Sequence, residues 1–437
     1  MNTRDTLKVE NGQLVIGGVS ATELREKFGT PLYVLDEAYI REVSRAFLDG
    51  LKEGYGENVA VAYASKALCN IAVLKITSSE GLYTDIVSGG ELYTALKAGV
   101  QPEKMVMHGN NKTDAELKMA VENSVGYIVV DSFNEIEKLD KIAKDLGKKP
   151  NVLLRVNPLV TAHTHEAVQT AKADSKFGIV IGDEAERAIR LMIEAENLEF
   201  VGIHCHIGSQ IFDYSAYEMA VEAMTSFIKR LLDDGIEIKV LNVGGGFGVF
   251  YAGSDPMFTP RRYAYTVKNL AMLVSESLKK QGIPKPMLMI EPGRSIVAEA
   301  GITLYTVGTI KDLGVRKYIG IDGGMFDNPR YALYQSVYSA IVANKADEPF
   351  AEKVSICGKC CESGDLIGVD ISLQKAELND IVAVFSTGAY NYSMSSNYNL
   401  NAVPPMVLVK DGKADYIVKP QTYDDIIRNN CLANWQK

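Results

Sequence analysis

The run Val59-Ala-Val-Ala-Tyr-Ala-Ser-Lys66 places a lysine at the end of an uninterrupted apolar stretch. A short continuous apolar run of this kind reads as a strand buried on both faces. Similar runs recur at 82–87, 104–109, 126–131, 151–157, 198–207, 239–244 and 287–291, and amphipathic segments such as Asp114–Asn123, Asp183–Glu196 and Ser215–Asp234 separate them. Strands alternating with helices imply an α/β protein with a parallel sheet, and eight such units over roughly 235 residues match a closed (β/α)8 TIM-type barrel. An open doubly wound sheet is the structural alternative. The barrel is favoured by where the polar residues fall: Lys66, Asp85, His108, Arg155, His206, Gly244 to Gly246 and Glu291 all lie at or just past the C-terminal ends of the runs, where barrel enzymes build their sites.

Beyond about residue 300 the pattern turns β-rich, with runs at Ile302–Thr309, Tyr318–Asp322, Ile381–Phe385, Met406–Lys410 and Asp415–Lys419. Lys410-Asp411-Gly412-Lys413 reads as a hairpin turn between the last two. Near the N-terminus, Leu7–Ile16 forms an apparent hairpin turning at Asn11-Gly12, and Pro31-Leu-Tyr-Val-Leu35 precedes the first clear helix. These segments are expected to pair with the C-terminal sheet. The expected organisation is a barrel over 36–300, with 1–35 and 301–437 forming a second, all-β domain of sandwich or barrel-like architecture.

The bulk composition narrows the function. The chain has 437 residues, 47% of them hydrophobic and 23% charged, with a formal charge of −9 and no basic run. That balance disfavours nucleic acid or an anionic membrane as partner. The polar start Met1-Asn-Thr-Arg-Asp-Thr-Leu lacks a signal-peptide core, and no uncharged stretch reaches the ~18 residues of a membrane span. A cytoplasmic protein is expected, and six cysteines in so long a chain make no disulfide framework.

Three features then converge on one chemistry. Lys66 at a strand end suits a Schiff base. Gly244-Gly-Gly-Phe-Gly248, after the apolar run Lys239-Val-Leu-Asn-Val243 and before Arg261-Arg262 and a helix, suits backbone N–H groups cradling a phosphate. Glu291, in Glu291-Pro-Gly-Arg294 at the next strand end, suits a protonated ring nitrogen. Together they describe a pyridoxal 5′-phosphate site, with the glycine loop and the Glu-Pro-Gly-Arg turn on the seventh and eighth strands, the usual barrel phosphate position.

Two competing readings use other residues. His163-x-His165 and His204-x-His206 form two histidine pairs, and imidazoles two apart on a strand share a face and could bind zinc with carboxylates. The first pair lies in a polar, loop-like stretch, and a zinc hydrolase would leave Lys66 and the glycines unexplained, so no metal is expected. Cys357-x-x-Cys360-Cys361 lacks a second cysteine pair to complete a four-thiolate site.

The ordered motifs Tyr63-Ala-Ser-Lys66, Asp174-Ser-Lys-Phe-Gly178, His206-Ile-Gly-Ser-Gln210, Gly244-Gly-Gly-Phe-Gly248, Glu291-Pro-Gly-Arg294, Cys361-Glu-Ser-Gly-Asp365 and Gly388-Ala-Tyr390 resemble those of the barrel-type pyridoxal-phosphate decarboxylases of alanine racemase/ornithine decarboxylase-like fold. Within that group the chain is similar to the diaminopimelate decarboxylases. The resemblance implies decarboxylation of meso-2,6-diaminopimelate to L-lysine and CO2, the last step of lysine biosynthesis, in a homodimer with sites shared across the interface. It implies that Lys66 binds the cofactor, Glu291 keeps its ring nitrogen protonated and His206 stacks on the ring. Ser209, Gly244, Gly245, Gly246, Pro292, Gly293, Arg294 and Tyr390 would surround the phosphate, with Asp85 orienting groups near the lysine. For the substrate it implies that Arg294 and Arg330, with Tyr334 and Tyr390, hold the distal carboxylate, a task suited to a planar guanidinium fork. Glu362 would meet the distal ammonium and Cys361 would protonate the carbon that loses CO2, both from the partner subunit.

Three positions depart from the family's pattern: Leu68 in Lys66-Ala-Leu68, Tyr331 after Arg330, and Ala171 after Thr170. None removes a catalytic side chain. Tyr331 beside Arg330 keeps D-lysine, D-ornithine or arginine as alternative substrates. A catalytically inactive regulatory homologue is the alternative from another class, and retention of Lys66, Cys361 and Glu291 argues against it.

Overall fold

Eight parallel strands form the first unit of the fold: β1 (Val59–Ala64), β2 (Tyr83–Ile86), β3 (Met105–Met107), β4 (Tyr127–Val130), β5 (Asn151–Asn157), β6 (Glu199–His204), β7 (Val240–Asn242) and β8 (Met287–Ile290). Each pairs with its sequence neighbour, and β8 pairs with β1, with Leu288 opposite Val59 and Ile290 opposite Val61, so the sheet closes. The barrel, rather than the open doubly wound sheet, is the architecture. The computed structural model describes residues 5–160, 175–251 and 260–437. His163, His165, Thr170, Ala171 and Asp174 of the sequence reading lie outside the described residues.

The barrel is filled by its own side chains. Ala60, Ala62, Val106, Val129, Leu153, Val201, Val240 and Met289 form one buried cluster, as expected where alternate residues of each strand point inward and must interdigitate. Helices follow the strands with clear start signals. Thr113 caps Asp114–Glu122 through a reciprocal capping box with Glu116, and Asp183–Glu194 and Tyr214–Asp233 fall where periodicity places them. The sixth strand ends at His204, earlier than the apolar run suggests, and the chain turns at Gly208, which has φ +143°.

Contact density divides the chain into two compact units, one of Arg41–Val249 and Met257–Ile296, the other of Met1–Ile40, Phe250–Pro256 and Val297–Lys437. The second unit is built on a nine-stranded sheet. Its long path runs Leu366–Leu373, Glu352–Cys357, Lys317–Ile321, Gly301–Asp312, Leu32–Asp36, Met406–Lys410, Lys413–Val418, and Ile381–Phe385 pairs with both Gly301–Asp312 and Ala340–Val342. Leu32–Asp36 joins this sheet between Gly301–Asp312 and Met406–Lys410. The N-terminal hairpin does not. Leu7–Glu10, Gln13–Ile16 and Val19–Ser20 make a separate three-stranded sheet, and its inner residues Leu7, Leu14, Ile16 and Val19 share a core with Ile302, Leu304 and Val407. The unit is also not purely β. Ser20 forms a capping box with Glu23 and starts the helix Ala21–Phe28, a start signal that outranks the short strand before it.

Candidate active site

Glu291 follows β8 directly, and its carboxylate has three side-chain partners. Oε1 accepts from His108 Nε2 at 2.7 Å and from Asn242 Nδ2 at 2.6 Å, and Oε2 accepts from His204 Nε2 at 3.2 Å. Burial alone would push this carboxyl up, but the two imidazoles and their hydrogen bonds outweigh it and hold it well below the usual carboxylate range. Burial meanwhile lowers His204 to about 3, so this ring is neutral at ordinary pH and serves as an N–H donor. With its proton on Nε2, His204 leaves Nδ1 buried without a hydrogen-bond partner among the described residues. The arrangement keeps a buried carboxylate anionic, which is what a cationic ring nitrogen requires as partner.

Lys66 sits in the single turn Ser65–Ala67 that follows β1. Its Nζ is 3.8 Å from Asp85 Oδ2 at the end of β2. The Asp85 carboxylate is buried, and neither oxygen has a hydrogen-bond partner among the described residues; His108 Nε2 is 3.9 Å away. Burial raises the Asp85 carboxyl, with His108 and then Lys66 opposing the shift. The loop carrying the lysine is tied down by Ser65 Oγ, which donates to Glu91 Oε2 at 2.8 Å, while the same oxygen accepts from the Val87 N–H. One carboxylate thus couples the loops after β1 and β2.

The glycine run after β7 is required by crowding. A Cβ on Gly245 would lie 2.0 Å from the Glu291 carbonyl oxygen, and one on Gly246, at φ +99°, 2.5 Å from the Gly208 carbonyl oxygen. The Gly244 N–H donates to Asn242 Oδ1 at 2.9 Å, and the Gly245 N–H donates to His206 Nδ1 at 3.3 Å. His206 stands half-buried at the barrel mouth, where desolvation and then the Lys66 charge hold its pKa well below the ordinary value. It presents a neutral ring. The Arg294 guanidinium donates to Ser209 Oγ at 3.1 Å, joining the loops after β6 and β8 beside the glycines.

Pyridoxal 5′-phosphate fits this set. An amine, an anionic partner for a ring nitrogen, a neutral imidazole, and a glycine run flanked by a serine and an arginine are the donors such a group needs, and the unpartnered oxygens of Asp85 are buried beside the amine. Of the histidines read as zinc ligands, His204 lies with His108 and Glu291, their ligand atoms all within 4.8 Å of one another. The 2.7 Å contact of His108 with Glu291 is that of a hydrogen bond, shorter than the ~3.3 Å between two ligands of a tetrahedral zinc.

The second unit holds the remaining residues in two groups. Arg330 begins the helix Arg330–Tyr334 and is buried, its guanidinium carbon 5.2, 5.4 and 5.7 Å from the ring centres of Tyr251, Tyr334 and Tyr390. It also donates to Ser336 Oγ at 3.2 Å, while its Nε has no hydrogen-bond partner among the described residues. A guanidinium set against three aromatic faces is held in orientation. Cys361 and Glu362 lie apart from the barrel residues in sequence, on an exposed loop of this unit.

Three contributors escaped the sequence reading. Asn242 was passed over as part of an apolar strand; His204 entered only as a zinc ligand; His108 was noted by position alone. The available signal was position: His204 and Asn242 are the last residues of their strands, and Asn242 stands two residues after the inward-facing Val240, on the same face. Arg155, at the end of β5, has its Nε 3.9 Å from Asp131 Oδ2 and stacks its guanidinium 4.3 Å from the Phe177 ring. Asp131 also accepts the Gly178 N–H at 3.0 Å, holding the described part of the Ser-Lys-Phe-Gly motif.

Residues 38–298 match the family model described as pyridoxal-dependent decarboxylase, pyridoxal binding domain. The chain is 46% identical over 422 residues to a diaminopimelate decarboxylase of Bacillus subtilis (strain 168), covering 96% of this chain and 95% of the relative. It is 47% identical over 418 residues to that of Bacillus methanolicus, covering 95% and 96%. Among solved structures, diaminopimelate decarboxylase from M. jannaschii in complex with L-lysine superposes with a TM-score of 0.91 at 37% identity over 98% of both chains. The chain therefore belongs to the diaminopimelate decarboxylase family of pyridoxal-dependent decarboxylases.

Proposed function

We propose that the protein decarboxylates meso-2,6-diaminopimelate to L-lysine and CO2 with pyridoxal 5′-phosphate held at the mouth of its barrel. The observation that carries this reading is the Glu291 carboxylate, kept anionic by His108, His204 and Asn242. When bound, the cofactor supplies an electron sink for the bond that breaks as CO2 leaves. Lys66 supplies the amine that holds it, and the ionised Glu291 keeps its ring nitrogen cationic. His206 offers a flat neutral ring, and Ser209, Gly244, Gly245, Gly246, Pro292, Gly293 and Arg294 hold its phosphate.

Arg330 selects a substrate with a second carboxylate, because a buried guanidinium without a carboxylate partner favours an anion over a neutral chain end. Arg294, Tyr334 and Tyr390 assist it, and Glu362 meets the distal ammonium. Cys361 holds the proton delivered to the carbon that loses CO2. Both Cys361 and Glu362 come from a second copy in a homodimer. Among the described residues no helix is long and apolar enough to cross a membrane, in keeping with work in the cytoplasm. Release of CO2 from meso-diaminopimelate by the cofactor-loaded protein, lost in Lys66→Ala together with the lysine adduct that borohydride fixes, tests the reading. Retained release in that variant would reject it.

A further inference from the structure

An exposed thiol on a loop has no packing to aim it, yet the backbone at Cys361 is held from two sides. The Cys361 N–H donates to Asn399 Oδ1 at 2.8 Å, and the preceding N–H, of Cys360, donates to Asp365 Oδ2 at 2.6 Å. The Glu362 N–H turns back to the Cys360 carbonyl at 2.9 Å, so three consecutive amides all have acceptors.

Asp365 is buried, and its other oxygen accepts from the Met325 N–H at 2.6 Å. Two glycines allow this approach: a Cβ on Gly358 would lie 2.4 Å from Asp365 Oδ2, and one on Gly324 2.6 Å from Oδ1. The carboxylate therefore ties the Cys361 loop to the segment that leads into Arg330. Asn399 adopts the left-handed conformation, φ +52°, which asparagine tolerates better than most residues. Its loop is fixed in turn by Asn397, whose Nδ2 donates to Gln421 Oε1 and to the Asn401 carbonyl, both at 2.8 Å.

We propose that Asn399 and Asp365 are positioning residues for the Cys361 thiol, Asn399 through that residue's own amide and Asp365 through the amide before it. The proposal rests on the reading of Cys361 as proton donor. It explains how an exposed side chain can deliver a proton to one face of a carbon: the Cys361 and Glu362 amides, which flank the Cys361 Cα, both have acceptors and restrict where its Cα–Cβ bond points, while the Asp365 bond holds the residue before it.

The test uses the pair Asn399→Gly and Asn399→Asp in the holoenzyme. Glycine keeps the left-handed backbone and deletes the acceptor; aspartate keeps both. The carbon that loses CO2 becomes the CH2 beside the ε-amine of lysine, so in D2O a well-aimed donor places deuterium on one face. Asn399→Gly is expected to lower kcat about fivefold, the worth of one net hydrogen bond, with KM changed less than about twofold. It should also spread deuterium over both faces. Without substrate, hydrogen exchange in the peptide spanning Cys360–Glu362 should quicken. Asn399→Asp should recover most of the kcat and the single-face labelling, and Asp365→Asn, which sets an NH2 donor against one of the two N–H donors that the carboxylate accepts from, should repeat the glycine signature. Wild-type kcat with single-face labelling in Asn399→Gly, or no difference between the two Asn399 variants, would overturn the proposal. Cys361→Ala with wild-type kcat would remove the proton-donor reading itself, while quickened exchange in Asn399→Gly would still mark the tether, so the two failures are distinguishable.

Discussion

At Glu291 the balance between burial and hydrogen bonding decides the chemistry, and Asn242 is a partner that can be removed without changing a titratable group. Its 2.6 Å bond to the carboxylate belongs to the charge-assisted class, about 1.5–3 kcal/mol. Asn242→Ala should therefore lower kcat by roughly ten- to a hundredfold if that stabilisation is felt in the transition state, while KM moves little. Unchanged kcat would show that the two imidazoles suffice. Arg330 governs specificity. Arg330→Ala should leave cofactor binding intact and cost roughly 2–5 kcal/mol in kcat/KM for meso-diaminopimelate, as for losing the partner of a desolvated charge. Arg330→Lys should recover only part, because an ammonium cannot reproduce the fork. D-lysine, lacking the second carboxylate, should be a poor substrate and little affected; equal losses on both substrates would assign Arg330 to the fold. Lys66 and Glu291 were legible in the sequence because each follows an apolar run and the two stand in order with the glycine run Gly244-Gly-Gly-Phe-Gly248; a lysine at a strand end alone is ordinarily a solvated cap. Asn242 was not, because its value depends on a carboxylate one strand away across the barrel wall, a proximity that no local pattern encodes.

Elements were legible where turn chemistry or uninterrupted apolar runs announced them. Asn11-Gly12 and Asp411-Gly412 both have two successive positive φ values, the backbone that tight hairpins demand, and the eight barrel strands are buried runs with helices between. Leu366–Leu373 was missed because Gly368 and Asp370, the latter at φ +55°, break its alternation, and its pairing with Glu352–Cys357 carries two register shifts. Ala340–Val342 is too short to show a period. The segment leading to Arg330 depends on Asp327, whose Oδ1 accepts from Tyr305 Oη at 2.6 Å and Oδ2 from the Gly324 N–H at 3.1 Å. Burial pushes this carboxyl up to about 8, above the unfolded value of about 3.9. The folded chain then keeps a proton that the unfolded chain has lost, so this contribution to stability is full below about pH 4 and declines as pH rises towards 8. Urea titrations between pH 5 and 8 should show wild-type stability falling with a steeper slope than that of Asp327→Asn. Parallel slopes would show that Asp327 is ionised in the folded protein.

For the whole molecule, the order of seven motifs along the chain was enough to indicate a barrel followed by a β-rich region, because each motif marks a strand end or loop whose place in such a fold is fixed. Assembly is a property of surfaces that no motif spells out, and it has its own test. If Lys66 of one chain works with Cys361 of another, mixing inactive Lys66→Ala and Cys361→Ala proteins under subunit exchange should restore up to about a quarter of wild-type activity, since half the dimers would be mixed and each would carry one intact site. No recovery despite demonstrated exchange would place the cysteine in cis. The central claim, that a barrel with an anionic Glu291 and a caged Arg330 decarboxylates a dicarboxylic diamino acid, is tested most directly by measuring CO2 release from meso-diaminopimelate, D-lysine, D-ornithine and arginine with the same cofactor-loaded protein. The account predicts that kcat/KM for meso-diaminopimelate exceeds that for each of the others by at least about a hundredfold, the worth of a buried guanidinium–carboxylate pair. Comparable or faster release from any amino acid lacking the second carboxylate would contradict it.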